Sequence, residues 1–311
     1  MPEAVQGGLV GEDLKLPIYD ADVAAVIERW TLRKHPVDGP RWAELTAGER
    51  NRYGRRRLKQ ALFGALTSRF KRSQQSVRAF YEEGWQANSA VDQAVRRSVD
   101  RFEWRGQGYE AYYPASPALH NYLVSRALVA IRPETALEVG CGSGLQTLVL
   151  ASRHPDVRFH GAELTAAGVR EARTLQQLEE LPEVLADFAF DPVLDRRAHR
   201  RVEFREASAA DLPYEDDSMD VVYTTIALEQ MEEIREAAVT SLARVARRYV
   251  VMVEPFRDFN RQGVRRDYVR SRDIFGACVD DLTRYGLKPV LTFTDFPSKV
   301  SLGVGLVVAA V

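Results

Sequence analysis

The chain has 311 residues, 45% of them hydrophobic and 28% charged, with 43 lysines and arginines against 44 aspartates and glutamates. That length suits one elaborated domain, or a core with an appendage, and the composition is too apolar for a disordered chain. A net charge of −1 argues against a globally basic nucleic-acid binder, and two cysteines exclude a disulfide framework or a multi-cysteine metal cage.

The start, MPEAVQGGLVGEDLKLP, has no basic n-region and no long apolar stretch, so it does not read as a secretory signal. The run Gly303 to Val311 is too short to span a bilayer as a helix. The expectation is a soluble, cytoplasmic protein without a membrane span.

Residues 1–118 read as a helical extension. Val23, Val26, Ile27 and Trp30 recur at helical spacing, as do Leu58, Leu62, Leu66 and Phe70, with a breaker from Pro36 to Pro40 between them. From Arg41 to Arg78 there are 11 lysines and arginines against 2 acids, with Arg55, Arg56 and Arg57 heading an amphipathic stretch. A solvated helix face is the plain reading, and a surface for RNA or another polyanion is the alternative. Nine aromatic residues between Phe80 and Tyr122, interleaved with Gly106, Gly108, Pro114 and Pro117, suggest a loop between helices. Their rings either pack this extension on the core or wall a pocket.

From about Leu119 the pattern becomes an alternation of helices and strands. A helix over 119–131 precedes a strand at Ala136–Val139, a glycine loop, and a helix with Leu145, Leu148 and Val149 on one face. Further strands are expected at Val157–Glu163, Arg201–Glu206, Asp220–Thr224 and Tyr249–Val253. This alternation predicts an α/β fold with a mostly parallel sheet covered on both faces. The last two β-like runs, Leu287–Phe293 and Gly303–Val311, are joined too closely for a helical crossover and should pair antiparallel.

The chemistry lies in Ala136 to Gly144, which reads ALEVGCGSG. A strand runs into Gly140, Gly142 and Gly144, and a helix follows. Glycines there let the chain turn sharply and a ligand approach the backbone, while the helix N-terminus favours an anionic group. A dinucleotide loop, G-x-G-x-x-G, would need a third glycine where Leu145 or Thr147 stands. The acid Glu138, two residues before the first glycine, better suits S-adenosylmethionine, which carries a cationic amino group and a sulfonium. Glu163 ends the next strand, 19 residues past Gly144. There a carboxylate is placed to accept from ribose hydroxyls.

LEVGCGSG, FHGAELT, ASAADLPYEDDSMDVVY and IALEQMEEI together resemble the class I S-adenosylmethionine-dependent methyltransferases, in the branch with a methyltransferase-11 type of domain, over roughly residues 119–311. The resemblance implies a Rossmann-like, doubly wound, seven-stranded sheet, mostly parallel with an antiparallel edge strand. Residues 119–311 would bind S-adenosyl-L-methionine, leaving S-adenosyl-L-homocysteine as product, and residues 1–118 would cap the substrate. It implies cofactor contacts from Glu138, Gly140, Cys141, Gly142, Gly144, Glu163, Leu164, Ser208, Ala209 and Thr225. Ser208 stands where the family often has an aspartate for the adenine amino group. In Ile226 to Gln230, Glu229 fits the family pattern and both of its histidines are missing.

Methyl transfer from a sulfonium needs mainly near-attack geometry, with a base only where the nucleophile starts protonated. No catalytic residue is therefore named outright; His120, among the aromatic residues, and Glu229 are the weak candidates. Cys141 reads equally as a small packing residue. No cluster has metal-ligand spacing, so no metal is expected. Six arginines against two aspartates in Arg257–Arg272 point either to an anionic acceptor or to a solvated helix. The leading expectation is methyl transfer to an O or N nucleophile of a small or medium-sized metabolite. The alternatives are a methyltransferase of RNA or protein docked through 41–78, and a catalytically silent cofactor-binding module.

Overall fold

In the computed structural model, which describes residues 8–9, 14–63, 73–87 and 89–311, the N-terminal part is of mixed structure. It comprises β1 (Gly8–Leu9), α1 (Asp20–Glu28), β2 (Thr31–Pro36), α2 (Pro40–Phe63), α3 (Gln74–Ala87), α4 (Ala90–Ala94), β3 (Val99–Trp104) and β4 (Gln107–Tyr112). The purely helical extension expected over 1–118 is thus corrected. β3 and β4 form a hairpin, and β2 pairs antiparallel with β4. The hairpin turns at Arg105 and Gly106, both with positive φ (47° and 76°), the backbone hand that matches strand twist. Phe102 faces Tyr109 across the pair. In β3 Phe102 and Trp104 recur at period two, which is a strand pattern, and the interleaved Gly106 marks a two-residue turn.

Helix α1 buries Val23, Val26 and Ile27, as its spacing requires. In α2 the buried face is Trp42, Thr46 and Tyr53, whereas Leu58 and Leu62 are 62% and 65% exposed. The expected apolar stripe therefore does not pack where it can be followed; Leu66 and Phe70 lie outside the described residues.

The remainder alternates: α5 (Ala115–Ile131), β5 (Thr135–Val139), α6 (Leu145–Arg153), β6 (Arg158–Glu163), α7 (Ala166–Gln176), α8 (Glu183–Ala186), β7 (Glu203–Glu206), β8 (Met219–Thr225), α9 (Arg235–Val245), β9 (Ala246–Glu254), α10 (Gly263–Arg272), β10 (Lys288–Phe293), β11 (Ser298–Lys299) and β12 (Gly305–Ala310). The main sheet has the order β1-β10-β12-β9-β8-β5-β6-β7. The strands from β9 to β7 are parallel, and β12 runs antiparallel to both β9 and β10. This is the doubly wound, Rossmann-like sheet with an antiparallel edge, to which β1 adds an eighth, two-residue strand. β5 is buried along its whole length because helices cover both faces. The winding reverses between β5 and β8, which opens a crevice at the carboxyl ends of the central strands.

The smaller sheet, β11-β3-β4-β2, draws β11 from far along the chain and stands beside that crevice. Among the described residues no helix is long and apolar enough to cross a membrane.

Trp42 anchors α2 to the small sheet. It is fully buried, its indole N–H donates to Glu103 Oε1 at 2.7 Å, and a Cβ at Gly108 would lie 2.6 Å from its ring. Trp42→Ala is expected to cost about 3–5 kcal/mol in chemical denaturation followed by circular dichroism. A loss below about 1 kcal/mol would show that this contact does not hold the two together.

Candidate active site

The strand β5 delivers Glu138 to the crevice, and the chain then turns through Gly140, Gly142 and Gly144, all at positive φ. At Gly142 a side chain is excluded twice over: φ is +55°, and a Cβ would stand 2.5 Å from the Trp85 ring. Gly144 looks the other way. Its Cβ would strike Ala172 and Phe204, so this glycine serves the packing of α7 and β7 and does not line the crevice.

The crevice holds a cavity of about 380 Å³. Of the residues singled out in the sequence, Glu138, Gly140, Cys141, Gly142, Glu163, Leu164, Ala209 and Thr225 line it. Ser208 stands just outside that lining, its hydroxyl accepting from Gln74 Nε2 at 2.7 Å.

Two carboxylates dominate its electrostatics. Glu138 is buried, and burial pushes its pKa up to about 7, with nearby Glu163 adding to the rise. The Thr147 hydroxyl donates to Glu138 Oε2, and the Tyr223 hydroxyl does so at 3.3 Å. Glu163 is locked in place: Oε2 accepts from the Gly142 N–H at 3.0 Å, and Oε1 from the Thr165 N–H and hydroxyl at 3.0 and 2.7 Å. Three shielded polar atoms around the cavity, Trp85 Nε1, Gln146 Oε1 and Thr225 Oγ1, have no partner among the described residues. Acids facing a confined space with unused donors and acceptors fit a ligand that brings both positive charge and hydroxyls. S-adenosylmethionine is such a ligand.

Helix α3 closes one side of the cavity with Gln74, Val77, Tyr81 and Trp85, a stripe on one helical face. It is tied down at both ends. The Gln74 N–H donates to Glu233 Oε2 at 2.6 Å, Arg78 pairs with Glu206, and Glu82 accepts from the Ala167 N–H at 3.1 Å and pairs with Arg170 at 3.2 Å. The Ala167 N–H, and then Arg170, hold the Glu82 carboxyl below its usual range. Sequence patterning marks Tyr81 and Trp85 but not Gln74 or Val77; the 3-4-4 spacing is the signal that carries them.

At its inner end the cavity meets a second chamber of about 160 Å³. Ser116, His120, Ile226, Glu229 and Lys299 line both. The two weak candidates, His120 and Glu229, are thus brought to one place. Burial, helped by the charge of Lys299, pushes the His120 pKa down to about 3, so its imidazole is neutral and only weakly basic. Lys299, which sequence patterning does not single out, lies 2.8 Å from Asp100 Oδ2.

The loop after β8 is held by Glu254, whose Oε1 accepts from the Ala227 and Leu228 N–H groups at 2.9 and 3.1 Å. Burial raises the Glu254 pKa to about 8, the Ala227 and Leu228 N–H groups opposing the rise. Ile226, at φ +51°, is a β-branched residue in the left-handed region, held there by this loop. Other histidines serve packing: His154 Nε2 is 2.9 Å from the Ser125 hydroxyl, and His199 Nε2 is 3.1 Å from the Leu178 carbonyl.

The arginines of 257–272 do not line either chamber; from this segment Tyr268 reaches the inner one. Arg257, Arg261, Arg266 and Arg270 open instead on a separate cavity. These side chains, read from the sequence as meeting either an anionic acceptor or solvent, thus lie away from both chambers: α10 turns its tyrosine, not its guanidinium groups, towards the inner chamber.

A family model described as a methyltransferase domain matches residues 137–252. An O-methyltransferase, rstn1, of Aspergillus nomiae is 29% identical over 124 residues, which are 40% of this chain and 47% of that protein. The match thus spans about half the length of the curated relative. Among solved structures, the [4+2]-cyclase SpnF superposes with a TM-score of 0.55 at 16% identity, over 77% of this chain and 96% of that one. A putative O-methyltransferase of Nostoc punctiforme gives 0.54 at 12% identity, over 86% and 71%. At these identities the structural likeness speaks for the fold.

A cation beside Glu138 favours its ionised form. Affinity for S-adenosylmethionine is therefore expected to weaken as pH falls through about 7, approaching tenfold per unit below it, with a proton released on binding. In the ligand-free protein the sign is opposite: a raised folded pKa stabilises below about 4.5, and that contribution is lost as pH rises through about 7. Glu138→Gln should weaken binding by about 1–3 kcal/mol and flatten its pH dependence, read by calorimetry in buffers of different ionisation enthalpy. A slope that survives in the variant would place the titrating group elsewhere.

Proposed function

We propose that this chain, whose central segment is a class I S-adenosylmethionine-dependent methyltransferase domain, moves a methyl group to an oxygen of a small, ring-sized acceptor. The observation that carries this reading is the junction of the two chambers, where five residues face both the cofactor cavity and an inner space of about 160 Å³. Phe102, Leu119, Tyr268, Phe296, Leu302 and Val304 wall that space. An apolar cavity of about 150 Å³ is large enough to take benzene, so one hydroxylated ring fits the size and lining here. The curated relative that is an O-methyltransferase supports oxygen as the nucleophile.

The cofactor supplies a methyl group already activated by the positive sulfur, so the chain's own task is to hold, align and exclude water. On this reading Glu138 and Glu163 hold the cationic and hydroxyl-bearing parts of the donor, with residues up to 118 capping the site. Tyr81 and Trp85 shield it. A phenolic hydroxyl has a pKa near about 10 and must lose its proton as the new C–O bond forms. The ammonium of Lys299 lowers the cost of the oxyanion. Neutral His120, like the Ser116 hydroxyl, orients the acceptor by hydrogen bonding, and the acceptor's proton is released to solvent.

Incubation of the protein with cell extract and methyl-labelled S-adenosylmethionine is expected to label a small hydroxylated compound, identified by mass. Label recovered in RNA or protein would favour docking through the basic 41–78 segment. Cofactor binding without turnover would leave a silent module.

Once an acceptor is known, Lys299→Met should lower kcat about 100-fold with little change in cofactor affinity. Because His120 stays neutral down to about pH 3, His120→Asn should leave the shape of the pH–rate profile between about 5 and 9 unchanged. A limb lost in that variant would make His120 the titrating base.

A further inference from the structure

We infer that the arginine-lined cavity between α2, the 257–261 turn and α10 is a binding site for a phosphate-bearing small molecule. The inference stands apart from methyl transfer and does not rest on it. Two arginine-rich stretches, far apart in sequence, meet here because α2 packs on α10, with Tyr53 edge-on to Tyr268 at 4.8 Å between ring centres. The resulting cavity measures about 570 Å³, within the range of about 300–1,000 Å³ usual for small ligands.

Five arginines line it, Arg57, Arg257, Arg261, Arg266 and Arg270, against Glu232 and Asp273. Their charges are unevenly compensated. Arg261 pairs with Asp258, and Arg266 with Asp267 at 3.0 Å. Glu232 is already engaged by Arg235 at 3.0 Å and by the Gly276 N–H at 2.7 Å. Arg57, Arg257 and Arg270 have no ion pair among the described residues. Gathering three uncompensated guanidinium groups on one concave surface raises the free energy of the empty site and favours a multiply charged anion within it.

The shape narrows the choice. Guanidinium forks match the oxygens of a phosphoryl group, and several converging forks suit its two or more negative charges better than one carboxylate. The floor is closed: a Cβ at Gly276 would stand 2.8 Å from Arg257 Nη2 and 2.9 Å from Glu232 Oε1. Buried Val269 and Ile274 add apolar wall for the rest of a ligand. A continuous polynucleotide backbone would have to pass Glu232 and Asp273, which disfavour it. The site is also close to the chemistry, since Met231, Glu233 and Ile234 face the cofactor cavity while Glu232, between them, faces this one.

Inorganic pyrophosphate titrated into the full chain at low ionic strength is the test, followed by calorimetry. Saturable one-to-one binding is expected. It should weaken at least about tenfold in Arg57→Gln/Arg270→Gln and in Arg257→Gln, and stay unchanged in Arg197→Gln/Arg284→Gln, which removes equal charge outside the cavity. S-adenosylmethionine affinity, measured on the same samples, is expected to persist and certifies the fold. No saturable heat, or an equal loss in the control variant, overturns the proposal. So does tighter binding of single-stranded RNA that is abolished by the same cavity variants, which would make the surface a polynucleotide site.

Discussion

Two carboxylates held out of water at the ends of adjacent parallel strands set the character of this protein. Glu138 and Glu163 face one confined cavity, and an isolated charge there is expensive unless paired or hydrogen-bonded. The chain answers differently at the two positions. Glu163 receives three donors from the glycine loop and the start of α7, which fix its orientation. Glu138 receives two hydroxyls and is left with a pKa near neutrality. On the proposed reading a positively charged donor would supply the partner that the fold withholds, coupling recognition and ionisation at the same atom.

The rest of the site is built around that pair from segments remote in sequence. Helix α3 brings an aromatic face across the cavity and is itself held by ion pairs and backbone bonds to the sheet domain. Residue 299, in the two-residue strand β11, reaches the inner chamber only because β11 joins β3 in the small sheet. Glu254, buried, steadies the loop that presents Ile226 and Glu229. Each of these elements acts by positioning, and on the proposed reading that is the demand methyl transfer from a sulfonium would make on the protein.

The fold was readable wherever its signals are local. The central parallel strands β5 and β8 are short, mostly apolar runs, and the loop from Gly140 to Gly144 announces itself because positive φ selects glycine. The small sheet was less readable. In β3 Phe102 and Trp104 flank Glu103, but the aromatic density also fits a loop packed on a core, and what distinguishes the two is the pairing with β2 and β11. Leu58 and Leu62 illustrate the reverse error: helical periodicity is present, yet the buried face of α2 is chosen by Trp42 and Tyr53.

Sequence alone located one end of the larger cavity: two acids one strand apart, a turn without side chains, and the alternating pattern that stacks them at the mouth of a parallel sheet. These depend on backbone geometry within a few residues, which local composition encodes. Only tertiary structure decided that Gly144 faces the core, that Lys299 and His120 share a chamber, and that two distant arginine runs converge on one cavity. Contacts of that kind depend on which element packs against which, a choice made by the summed burial of the whole chain rather than by any residue's neighbours in sequence.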